Sequence, residues 1–231
     1  MKRFIPLSVM VALIFALTTV SPTNTNGQSA GLLSSVLSRM EKNRKDLRTL
    51  KASISMEKYN SQLRYSDNHQ GVVLFVPGSG RQGSVRIDWS KPRREIMAVT
   101  NGKYTIYRPA LKVVYTGNSN SQKNKAGGIL DMMYMSRQQL EAKFQPISDV
   151  RKDTLWGGVE TIRLTLVPKG KESFKYAEVW IDMGGMPVQT KVVEKNDDST
   201  TMRLTHVERN IKINSDDFNI KLDGDVKVVK S

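Results

Sequence analysis

From Leu50 onward the chain is built from short runs of alternating apolar and polar residues, separated at close intervals by turn-forming residues. Leu50, Ala52, Ile54 and Met56 fall at every second position, with Lys51, Ser53, Ser55 and Glu57 between them. A period of two belongs to a half-buried strand, whose successive side chains point to opposite faces. The pattern recurs in 71–76, 84–89, 95–100, 103–107 and 111–115. Pro77-Gly78-Ser79-Gly80, Lys91-Pro92, Asn101-Gly102 and Arg108-Pro109 fill the breaks. Asn-Gly between two such runs is a strong hairpin signal. The alternation resumes in 159–167, 176–182, 187–194 and 200–209, with Gly184-Gly185 and Asn196-Asp197-Asp198 as turns. Short apolar pieces follow at 218–222 and 226–229. Residues 66–70 read as a polar loop and 117–128 as a Gly-, Ser- and Asn-rich one.

Two segments carry a different period. Leu33, Val36, Leu37, Met40 and Leu47 recur at helical spacing, so Gly31 to Leu47 reads as an amphipathic helix. Ile129 to Phe144 reads as a second one. A meander of about ten or eleven strands must curl to bury its apolar face. The expected fold is mainly β (α+β): a curved, incomplete antiparallel β-barrel capped by the two helices and enclosing an apolar cavity.

Ahead of this pattern stand Met1, Lys2 and Arg3, then an apolar run from Phe4 to Val20 and a polar stretch from Ser21. Charge, apolar core and small polar residues in that order form a secretory signal. Residues 1–30 are therefore expected to be a signal peptide cleaved somewhere in 21–30, leaving 31–231 as one domain. No other apolar run approaches spanning length, so the mature chain is expected to be exported and soluble. The chain has no cysteine. An exported chain of this kind forms no disulfide and offers no thiol for acylation.

The formal net charge is +14, and its excess is all in the first half: 126–231 carries sixteen basic and sixteen acidic residues. A one-sided positive field favours acidic surfaces or anionic lipid. Export argues against nucleic acid as the partner.

Groups for catalysis are sparse. His69 and His206 are the two histidines, and neither has metal-ligand spacing. Gly78, Gly80 and Gly83 spell G-x-G-x-x-G, but a strand pattern follows where a nucleotide site needs a helix. That points to a glycine-rich hairpin loop. The acidic pairs Asp197-Asp198 and Asp216-Asp217 read as solvated turn residues. No enzyme activity, cofactor or metal is expected.

The apolar faces carry more. Val85, Ile87 and Trp89 share one side of their strand, as Ile54 does with its neighbours. The chain has eleven methionines; Met132, Met133 and Met135 cluster on the second helix and Met40 lies on the first. Flexible thioethers adapt to irregular apolar surfaces such as an acyl chain, and they serve equally as gap-fillers where these faces simply pack as a core. The candidate lipid-binding residues are Leu33, Val36 and Met40 on the first helix, Ile54, Val85, Ile87, Trp89 and Tyr107 on strands, and Ile129 and Met133 on the second helix.

The order of these features resembles the LolA-type periplasmic carriers of outer-membrane lipoproteins. The segments that carry the resemblance are LKASISMEKY, GVVLF, RIDWSKP, NGKYTIYRP, LTLVPKG, YAEVWIDMGGMPVQTKVVE and RLTHVERNIKINSDDFNIKL. Trp89 with Pro92, and Tyr107 with Pro109, match the family pattern directly. The resemblance implies a helix-closed half-barrel that receives acylated lipoproteins from an inner-membrane ATP-driven extractor and passes them to an outer-membrane acceptor. It implies a periplasmic monomer without cofactor. Members place a lid-closing arginine before a proline in the loop after the second strand. In this chain that loop is PGSGRQG, so the counterpart is Arg81, without the Arg-Pro pair. A lipid- or lipoprotein-sensing envelope domain is the alternative function.

Overall fold

The structure is a computed structural model that describes residues 25–78, 83–118, 135–172 and 174–230. Helix α1 spans Thr25–Asp46. Eleven antiparallel strands follow: β1 Leu50–Asn60, β2 Tyr65–Val76, β3 Ser84–Lys91, β4 Glu95–Thr100, β5 Lys103–Arg108, β6 Val113–Asn118, β7 Val150–Leu155, β8 Val159–Leu166, β9 Phe174–Asp182, β10 Pro187–Glu194 and β11 Ser199–Arg209. Helix α2, Arg137–Lys143, lies between β6 and β7, and β12, Lys227–Lys230, comes last. The twelve described strands form one open sheet in the order β12-β6-β5-β4-β3-β2-β1-β11-β10-β9-β8-β7. Among them only the β12–β6 pair is parallel.

The strand order is a meander split by one long-range pairing, β1 with β11. Asn101 (φ 50°) and Gly102 (φ 73°) form the two-residue turn between β4 and β5, with Thr100 paired to Lys103. Both φ values are positive, as the turn suited to strand twist requires. Strand β3 opens at Ser84, paired with Val76 at the end of β2, so a strand and not a helix follows Gly83.

Several boundaries differ from the expectation. The sheet has twelve described strands, one more than the upper figure. Residues 66–70 are not a loop but the first half of β2, paired with the outer half of β1 from Met56↔His69 to Asn60↔Tyr65. Most of these residues stand half-buried or exposed, so no apolar alternation marks them. Strand β7 lacks a legible alternation because only Val150 and Leu155 are buried along it. It is an edge strand, and charged residues there discourage further pairing. Helix α1 begins at Thr25, ahead of the expected Gly31. The second helix begins at Arg137 and ends at Lys143, opened by Ser136 and Gln139 in a capping box, so Met135, Ser136 and Phe144 fall outside it. Its expected beginning lies outside the described residues.

Partner residues in the ladder share a face, so the registers define two surfaces. One row runs Ala52, Val73, Ile87, Met97, Ile106 across β1 to β5. A second runs Met56, Met202, Thr190, Val179, Leu164, Val150 across β1, β11, β10, β9, β8 and β7. These belong to the same face, which curves around two large apolar clusters. The opposite face is apolar over a smaller area, where Ile96, Tyr107 and Val114 pack with Ile220 and Val226 of the C-terminal segment.

Candidate functional site

The candidate site is the inner face of the curved sheet together with the helix laid on it. Val36, Leu37 and Met40 of α1 pack with Leu140 and Phe144 at α2 onto Leu164, Val179 and Ile181. The second cluster continues over β1 to β4 through Ile54, Val73, Ile87, Trp89 and Met97. Val192 packs against both clusters, so the apolar surface is continuous.

Of the residues expected to contact lipid, Ile54, Ile87 and Trp89 meet in one cluster with Val85 against it. Val36 and Met40 meet in the other, with Leu33 half-buried beside them. Trp89 stands next to Gly71 and presents its ring edge-on to His69, centroids 5.6 Å apart. Tyr107 is not brought to them. It pairs with Ile96 and Val114 on the outer face, and its hydroxyl accepts from the Asp223 amide at 3.3 Å. Tyr107 and Ile106 are adjacent on a strand and so face opposite ways; it is Ile106 that joins the inner row. Ile129, Met133 and Arg81 lie outside the described residues.

Much of the inner surface is covered. Val36, Val73, Ile87 and Met202 have no solvent exposure, and Ile54 only 2 %. A ligand reaches these side chains only if a covering element moves, and α1 is held by specific polar contacts. Arg39 donates to the Met183 carbonyl at 2.9 Å in the turn between β9 and β10. Asn43, buried on the apolar side of α1, donates to the Met186 sulfur at 3.4 Å and accepts from Arg209 Nη1 at 2.8 Å. Asn210 bonds both the Asp46 carbonyl and the Arg48 amide beyond the helix end. Gly185 (φ 87°) lies directly under the helix, where a Cβ would collide with the Arg39 carbonyl.

Sequence reasoning missed these fastenings. Asn43 left a signal: in the stripe Val36, Met40, Asn43, Leu47 it is the polar member at an apolar position. Arg209 and Gly185 gave none, because their roles depend on which turn meets α1. Glu41, also on α1, accepts two bonds from Arg44 at 3.1 and 2.7 Å. Those bonds hold its carboxyl below the ordinary range against the opposing effect of burial.

Nothing in the described residues gathers three or more metal-ligating side chains. Asp197-Asp198 sit in the β10–β11 turn and Asp216-Asp217 in a short 3-10 helix, Ser215–Phe218. Asp197 pairs with Lys175, Asp198 accepts from the Ser61 amide at 2.8 Å, and Asp217 accepts from the Asn214 amide at 2.8 Å. His206 is exposed, with φ 50°, on the strand that pairs irregularly with β1. No described helix is long and apolar enough to cross a membrane.

A single curved, mostly antiparallel open sheet with a helix laid over its apolar face is the arrangement of the LolA-like fold class. The chain belongs to the LolA family, described as outer membrane lipoprotein carrier protein LolA, which matches residues 45–221. Members of that family are binding and carrier proteins. No curated protein matches the chain significantly. Among solved structures, an uncharacterized conserved protein from Thermus thermophilus is similar at 14 % identity and TM-score 0.51, covering 86 % of this chain and 99 % of that one. LprF from Mycobacterium bovis is similar at 14 % identity and TM-score 0.51, with 81 % and 97 % covered. MucB is similar at 11 % identity and TM-score 0.51, with 88 % and 66 % covered. At these identities the likeness is one of fold.

Proposed function

We propose that this protein is a periplasmic carrier that buries the acyl chains of lipoproteins, or of a related lipid, on the inner face of its sheet and moves them from inner to outer membrane. The observation that supports it is the broad apolar surface beneath a helix held by a small set of polar contacts, in a chain of the LolA family. Each methylene transferred out of water contributes about 0.8 kcal/mol. A long acyl chain therefore does not cross water unshielded at a useful rate. The carrier must open to admit the chain and must release it again, so α1 should be held firmly enough to close and weakly enough to open.

The working partners in this reading are an inner-membrane ATP-driven extractor and an outer-membrane acceptor, and the carrier acts as a monomer. Exposed Lys91, Arg93 and Arg94 lie in and beside the β3–β4 turn, where they suit an acidic partner surface. Residues 1–30 act as the export signal. Intact mass of the protein recovered from the periplasm should place its first residue within 21–30 or directly after; recovery of the full-length chain in the membrane fraction would contradict export as a free carrier.

The decisive experiment is purification without detergent, mass spectrometry of bound material, and uptake of acylated lipoprotein from vesicles. Bound acylated lipoprotein that passes to acceptor membranes is expected. A consistently empty protein with no uptake would sink the reading. Uptake with no release to acceptor membranes would point instead to the sensing role.

A further inference from the structure

Resting on the lipid-binding reading, we infer that Thr190 is a specificity-determining residue whose hydroxyl donates a hydrogen bond to an acyl ester carbonyl of the bound lipid. Thr190 is the polar member of the inner-face row Met56, Met202, Thr190, Val179, Leu164, Val150. It has no solvent exposure, and its Oγ1 has no hydrogen-bond partner among the described residues. It sits where the cluster under α1 meets the cluster over β1 to β4, beside Val192, which touches both.

An orphan hydroxyl in such a place is costly. Burying a hydroxyl without a partner opposes folding by about 1–3 kcal/mol. Valine has nearly the same shape and carries no such penalty, and Val192 fills the position two residues away on the same face. Water is a poor explanation, because a buried water needs two to four polar partners. The cross-strand neighbours Val179 and Met202 offer only a weak sulfur acceptor, and it is out of range. The remaining partner is one that arrives with the ligand.

The surroundings restrict its chemistry. The row holds no charged side chain, so a carboxylate or phosphate would lose its hydration with nothing to compensate. A neutral acceptor attached to hydrocarbon fits: the carbonyl of an acyl ester. Such a carbonyl takes the Thr190 hydrogen bond while its chain lies along Met56, Met202 and Val179. The ligand satisfies in the bound state a group that the closed empty state leaves unpaired.

The test uses the full mature protein and two matched pairs of probes. One pair is a dipalmitoylglyceryl-cysteine peptide and its dihexadecyl ether counterpart. The other is dipalmitoylphosphatidylglycerol and its ether counterpart. Thr190→Val should weaken binding of an ester probe by about five- to tenfold, the range for one neutral hydrogen bond, and leave its ether partner unchanged. Thr190→Ser, which keeps the hydroxyl, should keep the preference. The empty Thr190→Val protein should melt about 2–4 °C higher than the parent, since it loses the orphan group. Discrimination on the peptide pair supports the inference with lipoprotein as the source, and discrimination on the phospholipid pair alone supports it with phospholipid. Equal effects on ester and ether, no effect on either, or a lowered melting temperature in the empty variant overturn it. Failure of the parent to bind any of the four probes overturns the carrier reading as well.

Discussion

Trp180 shows how a single side chain ties strands together, here β9 to β7 across β8. Its indole N–H donates to Asp153 Oδ2 at 2.8 Å, and Arg163 lies over its ring at 5.9 Å while pairing with Glu178 at 3.2 Å. The Trp180 bond holds the Asp153 carboxyl below its ordinary value of 3.8, against burial and with help from the Thr154 amide and the charges of Arg163 and Arg151. A carboxyl depressed in the folded state stabilises it above the ordinary value and loses that contribution as pH falls through the depressed one. Asp153→Asn keeps an acceptor for the indole but removes the charge. It should cost about 1 kcal/mol at neutral pH, the difference between charged and neutral hydrogen bonds. Melting curves taken from neutral to strongly acidic pH should show the variant losing less stability than the parent below the ordinary carboxyl value. An unchanged acid slope would refute the assignment. Residue-level features of this kind are poorly legible in sequence. Asp153 and Trp180 stand 27 positions apart, and nothing about either names the other.

At the scale of elements the legible parts are those with strong periodicity. Strands β1, β3, β4, β5, β9, β10 and β11 announce themselves through buried apolar residues that recur along a solvated or half-solvated run. The outer half of β2 and all of β7 do not, because they are stabilised by pairing more than by burial. What the sequence hides is how α1 is fastened. Removing the Asn43 side chain leaves Arg209 without its acceptor and takes away a donor to Met186. Asn43→Ala should cost about 1–3 kcal/mol, the penalty for unpairing a buried polar group. It should raise hydrogen exchange in α1 selectively, with the amides of β9 to β11 remaining protected. Gly185→Ala attacks the same junction sterically. Its φ of 87° already disfavours any side chain, and the added methyl meets the Arg39 carbonyl. The expected outcome is displacement of α1 and faster lipid uptake and loss in a vesicle assay; parent-like kinetics would show that this junction does not govern access.

The molecule as a whole covers both faces of its sheet, each by a different device. The inner face closes by curvature and by α1, and alternating residues make that legible. The outer face closes over β3 to β6 by the C-terminal segment, which looks like a tail in the sequence. Phe218 is buried there, Ile220 and Val226 pack on Ile96, Tyr107 and Val114, and Arg86 donates to the carbonyls of Asp217 and Asn219 at 2.8 and 3.1 Å. Strand β12 then pairs parallel to β6, past the end of the family match at residue 221. This segment accounts for the outward placement of Tyr107: its strand has apolar residues on both faces, and the period of two does not say which is inner. Phe218→Ala should cost about 3–5 kcal/mol, the range for deleting a buried phenyl ring. Truncation after Asn210 should cost more, because it uncovers Ile96, Tyr107 and Val114 together. Urea unfolding should show both losses, and the truncated chain should also bind a dye specific for exposed apolar surface. If Phe218→Ala unfolds at the parent midpoint, the segment is a passive tail and the sheet closes without it.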